Sequence, residues 1–193
     1  MNSFYSEEEL KQLPIKSFGK NVLISRQVSI YSNHEIVIGN NVRIDDFCIL
    51  SGKIELGNYI HIGAYCALYG NYKITMEDFS GLSPRCSIFS GTDDFSGNFL
   101  ISPTTKKHHN HIIFGEVILK KYVQVGTNSV IMPNLVLKEG TAIGAMSLVT
   151  QSTEDWGIYV GIPAKKIKER EKGLLNFVKD YEQTLQKIKQ NPF

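Results

Sequence analysis

The chain has 193 residues, 42% hydrophobic and 21% charged, with 21 Lys and Arg against 19 Asp and Glu and a formal net charge of +2. That length allows one well-buried domain, and the balanced charge, with no basic tract, excludes the composition of a nucleic-acid binder. No run of eighteen apolar residues suits a membrane span, and residues 1–9 lack the cationic and apolar regions of a signal peptide, so a cytoplasmic protein is expected.

In chain order, Ser6 and Glu9 have capping-box spacing and predict a short N-terminal helix over residues 7–12. Val22 and Val28 then open an irregular coil. From Ile38, aliphatic residues recur every six positions: Ile38, Ile44, Leu50, Leu56, Ile62 and Leu68. After a slip of two residues come Met76, Leu82 and Ile88, and after a long gap Ile113, Leu119, Val125, Ile131, Leu137, Ile143 and Val149. A period of six fits neither a helix nor a flat strand. The residue two before each anchor is usually apolar or small as well (Ile36, Val42, Cys48, Ser80, Ser129). Each hexad therefore reads as a short strand with two inward side chains, followed by a turn. Gly39, Gly57, Gly63, Gly126 and Gly144 follow anchors, where the backbone is expected to bend. Three such strands close a triangular coil, and about five stacked coils make an all-β solenoid with a shared core.

Cys48, Cys66 and Cys86 test this reading. They form no C-x-x-C pair, which disfavours a disulfide framework or a zinc site. All three stand two before an anchor, so they are expected to stack as small core side chains in successive coils. Two interruptions break the repeat. Residues 69–73 add two residues at a corner, and residues 91–112 form a long excursion without hexad pattern, the kind of loop in which function is placed. Beyond the solenoid, Leu174, Val178, Tyr181, Leu185 and Ile188 form the stripe of an amphipathic helix over about 172–190, read as a cap on the last coil, with a subunit contact as the alternative. The expected organisation is a β-helix domain over residues 1–171 and a C-terminal helix over 172–193.

The segments Ile38-Gly-Asn-Asn-Val-Arg, Leu56-Gly-Asn-Tyr-Ile-His and Ile143-Gly-Ala-Met-Ser-Leu, the excursion, and the closing Gly161-Ile-Pro-Ala-Lys-Lys-Ile resemble the hexapeptide-repeat acyltransferases over roughly residues 20–170. The branch most resembled contains the galactoside, maltose and xenobiotic acetyltransferases and the N-acyltransferases of nucleotide-linked amino sugars. The resemblance implies a left-handed parallel β-helix, assembled as a homotrimer, with acyl-CoA in a groove between subunits and the sugar at the same interface. It implies no metal. Carried over residue by residue, the CoA contacts fall on Gly126, Gly144, Ala145 and Ser147, whose small size permits close approach. They continue onto Ala164, Lys165 and Lys166 near the adenine and phosphates.

Many members of this branch place a catalytic His at the start of the long loop. Here the stretch reads Phe89-Ser-Gly-Thr-Asp-Asp-Phe-Ser-Gly, with no His. A sugar hydroxyl needs a base matched to neutral pH, whereas an unprotonated amine is already nucleophilic and needs orientation. A carboxylate suits the second task. The pair Asp93 and Asp94 therefore points to an amino-sugar acceptor, with Asp94 the catalytic candidate by resemblance to the amino-sugar enzymes and Asp93 in reserve. Ser83 is a further catalytic candidate, and Cys86, Tyr65 and Tyr69 are candidate substrate contacts, with core packing or surface roles as the competing readings.

The implied reaction is acyl transfer from acyl-CoA to the amine of a nucleotide-linked, dTDP-type deoxyamino sugar for surface polysaccharide synthesis. An alternative is O-acetylation of a galactoside-type sugar, with His108, His109 or His111 as base; a non-catalytic scaffold is the third reading. Those three His lie on a cationic stretch without carboxylate or cysteine support at zinc spacing, so no metal site is expected.

Overall fold

The computed structural model describes residues 3–102, 104–106, 109–179 and 181. Its body is a left-handed β-helix with three parallel faces. The first face stacks β1 (Ser17–Phe18), β4 (Ile36–Ile38), the later halves of β6 (Ile49–Leu56) and β8 (Ala67–Met76), β13 (Val117–Leu119) and β16 (Leu135–Leu137). The second stacks β3 (Ser29–Tyr31), the earlier halves of β6 and β8, β10 (Ser87–Phe89), β15 (Val130–Ile131) and β18 (Leu148–Val149). The third stacks β2 (Leu23–Ile24), β5 (Val42–Ile44), β7 (Ile60–Ile62), β9 (Gly81–Leu82), β14 (Gln124–Val125), β17 (Ala142–Ile143) and β19 (Gly157–Gly161), seven parallel strands and so seven coils. The hexads account for five; the other two come from the less regular ends.

The anchors face inward and pair in register from coil to coil. On the third face Ile24, Ile44, Ile62, Leu82, Val125 and Ile143 are successive partners; on the second, Ile30, Leu50, Leu68, Ile88, Ile131 and Val149 are. Ile44, Leu50, Ile62, Leu68 and Ile88 are fully buried. Leu50→Ala would therefore cost about 2–5 kcal/mol. Ser80, Ser129, Thr141 and Ser147 fill the small inward positions, and each hydroxyl is hydrogen-bonded; Ser129 and Ser147, for example, both donate to the Gly144 carbonyl, at 3.0 and 2.8 Å. Cys48, Cys66 and Cys86 stack as expected: each is fully buried and donates its S–H to a carbonyl at a coil corner, those of Gly63, Ser83 and Gly126, all at 3.2 Å.

The bend does not fall on the glycines after the anchors. The left-handed residue is two positions later, at Asn41, Phe47, Tyr59, Tyr65, Phe79, Arg85, Tyr122, Asn128 and Met146, with φ between 57° and 64°. The glycines are required for a different reason: a Cβ on Gly126 would stand 2.5 Å from the Ala145 nitrogen, and one on Gly39 would strike the Gly57 carbonyl. Adjacent coils touch backbone to backbone there.

The two-residue slip is absorbed inside β8, whose register against β6 shifts between Gly52 and Ile54 while the flanking anchors stay paired. The long excursion opens and closes as an antiparallel pair, β11 (Gly91–Asp93) with β12 (Ile112–Phe114). Ile113, expected to be an anchor, belongs to this hairpin and is exposed; the coil resumes at Val117.

Both ends also depart from expectation. Ser6 caps α1 (Glu7–Leu10) with the full capping box, but the helix ends after one turn because Lys11 and Gln12 pass into a turn. The last coil is closed by a hairpin, β19 with the antiparallel β20 (Ala164–Glu169), and by buried Trp156. The C-terminal helix is not that cap. Residues 174–179 are helical and lie with Tyr181 along the side of the solenoid, and the rest of the predicted helix falls outside the described residues.

Candidate active site

The sequence candidates fall on the two edges of the second face. On one edge, the corner joining the third face to the second, Ser83, Gly126 and the pair Gly144 and Ala145 stand in three successive coils. This corner is stitched by backbone bonds from Tyr65 N–H to Asp46, Arg85 N–H to Ala64, Asn128 N–H to Pro84 and Met146 N–H to Thr127. The N–H groups of Thr127 and Ala145 have no partner among the described residues, so they are available to a bound amide or a developing oxyanion. Beside this corner, Gly81 leaves a hollow of about 250 Å³ lined by Tyr59, His61, Ser83 and Gln124. A larger hollow of about 450 Å³ lies against α1, between Leu10 and Phe18, and contains no candidate residue.

On the other edge the chain leaves β10 through Ser90 into the excursion. Asp94 lies at the end of the β11–β12 pair, its side chain 15% exposed. Its Oδ1 accepts the Ser96 N–H at 2.7 Å, and its Oδ2 lies 3.0 Å from His111 Nδ1. Its own N–H donates to the His111 carbonyl, also at 3.0 Å. The Ser96 bonds, and then the His111 bond, hold this carboxyl below the usual aspartate range, so it is ionised at neutral pH. The Phe99 ring packs at 5.0 Å on His111, and Tyr69 stacks on Phe89 along the same edge. Asp93 sits in β11 opposite Ile112.

Several candidates take other places. Cys86 is fully buried, so its thiol contacts core atoms and not a substrate. Ser147 is likewise buried, its hydroxyl donating inward to Gly144 and accepting from the Gly161 N–H, so its side chain faces the core and not the corner surface along which close approach is expected. Lys166 is held by Glu154 and Glu169, both at 2.6 Å, which push its pKa up and occupy its ammonium; Lys165 is the exposed cation of the pair. Ala164 opens β20 beside Gly161. His109 is described in the excursion and His108 lies outside the described residues. Among the described residues no three His, Cys, Asp or Glu are grouped as metal ligands.

Two residues were not singled out in the sequence, Phe47 and Arg85. They flank Tyr65 on the open corner, with Phe47 stacked on Tyr65 at 5.0 Å and Arg85 5.6 Å from its ring centroid. A signal for them was present: each of the three immediately precedes one of the stacked cysteines.

A seven-coil left-handed β-helix with one long excursion and a small-residue corner is the architecture of the hexapeptide-repeat proteins. A 22% identical maltose O-acetyltransferase from Clostridium difficile 630 shares this fold, with a TM-score of 0.54 over 86% of this chain and 75% of its own. No family model matches the chain. It is 43% identical over 176 residues to the dTDP-4-amino-4,6-dideoxy-D-glucose acyltransferase of Escherichia coli, covering 90% of this chain and 92% of that protein. It is 51% identical to AntD, an N-acyltransferase from Bacillus cereus solved with dTDP and 3-hydroxybutyryl-CoA, with a TM-score of 0.94 over 96% of this chain and 100% of the other. The chain therefore belongs to the dTDP-amino-sugar acyltransferases.

Proposed function

We propose that this protein transfers an acyl group from acyl-CoA to the amino group of a dTDP-linked deoxyamino sugar. It acts as a cytoplasmic homotrimer that supplies surface polysaccharide synthesis. The observation that carries the acceptor assignment is Asp94: an ionised, doubly held carboxylate stands at the start of the long loop, in a stretch that has no His. AntD, solved with dTDP and CoA in forms carrying a replaced aspartate or a replaced serine, supports a site of this composition.

In this reading the pantetheine arm lies along the open corner past Gly126, Gly144 and Ala145, with Lys165 toward the phosphates. Asp94 binds the substrate ammonium and orients the amine once a proton has left to solvent. The nitrogen attacks the thioester carbon, the Thr127 or Ala145 N–H takes the oxyanion of the tetrahedral intermediate, and the C–S bond breaks as that intermediate collapses. One of the two protons on the nitrogen goes to the leaving thiolate and the other stays on the amide. Ser83, at the level where the two substrates meet, contacts the thioester; no acyl-enzyme is required.

Asp94 and the corner stand on opposite edges of a face crossed by β10, ~15 Å apart at about 3.3 Å per residue. Reacting atoms must approach to about 3–3.5 Å. One protomer therefore lacks a whole site, and a neighbour's corner facing Asp94 completes it, which is why a trimer is proposed.

A second reading has one observation in its favour. His111 bound through Nδ1 to Asp94 has the geometry of a carboxylate-oriented imidazole, able to act as base toward a hydroxyl. Assaying CoA release with a dTDP-4-amino sugar and with its 4-hydroxy counterpart separates the two. Turnover confined to the amine is expected; turnover of the hydroxyl compound at a comparable rate would establish the second reading.

A further inference from the structure

The open corner carries, in the coils before Ser83, a surface that nothing among the described residues covers. Phe47 and Tyr65 are stacked with planes inclined by 23°, are 49% and 54% exposed, and continue into the Arg85 guanidinium. The three occupy the same left-handed position in successive coils, at φ 61°, 62° and 63°. Asn adopts that conformation more readily than Phe, Tyr or Arg, and Asn128 fills the same position one coil further on. Large side chains here are therefore not demanded by the corner itself.

The guanidinium of Arg85 meets the Tyr65 ring but no carboxylate among the described residues. Arg26 pairs with Glu9, Arg43 pairs with Asp45, and Arg170 donates to the carbonyls of Tyr122 and Gly140. Phe47 covers one face of Tyr65 and Arg85 the other, which leaves the outer face of Phe47, the exposed edge of Tyr65 and the guanidinium in a row. This fits a ligand with a planar base at one end, stacked on Phe47, and phosphates at the other, where the guanidinium donates in pairs to phosphate oxygens.

We propose that Phe47, Tyr65 and Arg85 form the platform for the nucleoside diphosphate of the acceptor, with the base on Phe47, which Tyr65 backs, and Arg85 on the phosphates. This rests on the nucleotide-sugar reading above and gives it a direction. Acyl-CoA runs along the corner from Ser83 toward Ala145, and the nucleotide runs the opposite way toward Phe47. Two coils separate the levels of Ser83 and Phe47, roughly 10 Å at about 4.8 Å per coil, comparable with the length of a nucleoside diphosphate.

The test is calorimetric titration of the full-length protein with dTDP, thymidine and CoA. Tyr65→Asn and Arg85→Asn place at each corner the residue that Asn128 shows to be compatible, and thermal melting confirms that they fold. Each variant is expected to bind dTDP at least tenfold more weakly while binding CoA as before. Thymidine binding should fall with Tyr65→Asn and persist with Arg85→Asn. If the unaltered protein binds dTDP and both variants match it, the platform is wrong and the nucleotide-sugar reading survives. If the unaltered protein binds CoA but no dTDP, that reading fails and takes the platform with it. Variants that lose dTDP and CoA together and turn monomeric in light scattering would make this surface a contact between copies of the chain, which also overturns the platform.

Discussion

Two corners of the solenoid carry aromatic columns at equivalent left-handed positions, and their fates differ. At the corner joining the first and third faces, Tyr59, Phe79, Tyr122 and Trp156 follow one another at centroid distances of 4.7, 5.7 and 6.1 Å. The C-terminal segment lies over them: Leu174, Phe177 and Val178 face Tyr59, Phe79 and Tyr122 across a shared hollow, and Tyr181 is edge-on to Tyr59 at 5.5 Å. At the corner joining the third and second faces, Phe47 and Tyr65 end in Arg85 and stay open. The repeat dictates the positions of both columns; what lies over each decides whether it stabilises the fold or meets a ligand. Near-identical residues thus serve packing on one edge and, in the proposed platform, recognition on the other.

Substitutions at the two corners should separate these roles, and the largest effect belongs to the open side. Asp94→Asn, in the excursion proposed to face that corner, removes the charge that binds the ammonium. It should lower kcat/KM by about 100-fold or more, within the range for a positioned charged or acid–base group, with the melting temperature nearly unchanged. On the closed side, Phe79→Asn keeps the corner conformation and removes a ring from the column. It should cost about 1–3 kcal/mol in urea unfolding and leave kcat/KM of the folded enzyme intact. Equal losses of activity at both corners would end the distinction.

A smaller effect is expected at His111. The Asp94 carboxyl is held below its usual range, so activity that depends on its anion is lost only as pH falls through that lowered value. His111→Phe removes one of the bonds that lower it, and the acid limb of kcat/KM should move to higher pH. His111→Asn can still donate from the position of Nδ1 and should keep the limb in place, whereas a proton-accepting His111 would make both variants equally slow. Smallest is Glu9→Gln, remote from either corner. The hydrogen bonds from Arg26 and the Ser6 N–H lower the Glu9 carboxyl from 4.5 to about 2. Its contribution is therefore present above the unfolded pKa and lost as pH falls toward 2, so the variant should melt slightly earlier at neutral pH and equally at pH 2.

The core was legible because it is periodic. Every expected anchor except Ile113, and each cysteine, follows from spacing alone, since one inward side chain per strand must meet its neighbour in the next coil. The glycines were found but misread, because the demand on Gly126 comes from Ala145 in the next coil and not from its own φ. Ile113 matched the period by chance and sits in a hairpin whose pairing is set by β11. The excursion gave Asp94 but not its partner: His111 is seventeen residues away, and only the antiparallel closure brings them together. Lys166 could not be told from Lys165 without the fold that sets Glu154 and Glu169 beside it.

The central claim is that Asp94 of one protomer and the open corner of another form a single site. Asp94→Asn lacks the first half, and Ala145→Trp blocks the second with a ring on an exposed corner residue. Each variant alone should be nearly inactive. Unfolded together in equal amounts and refolded, they should regain about a quarter of the wild-type acyl transfer, the fraction of interfaces in a random trimer that carry both intact halves. Mixed oligomers that form but stay as inactive as the separate variants would contradict the claim and place the whole site within one protomer.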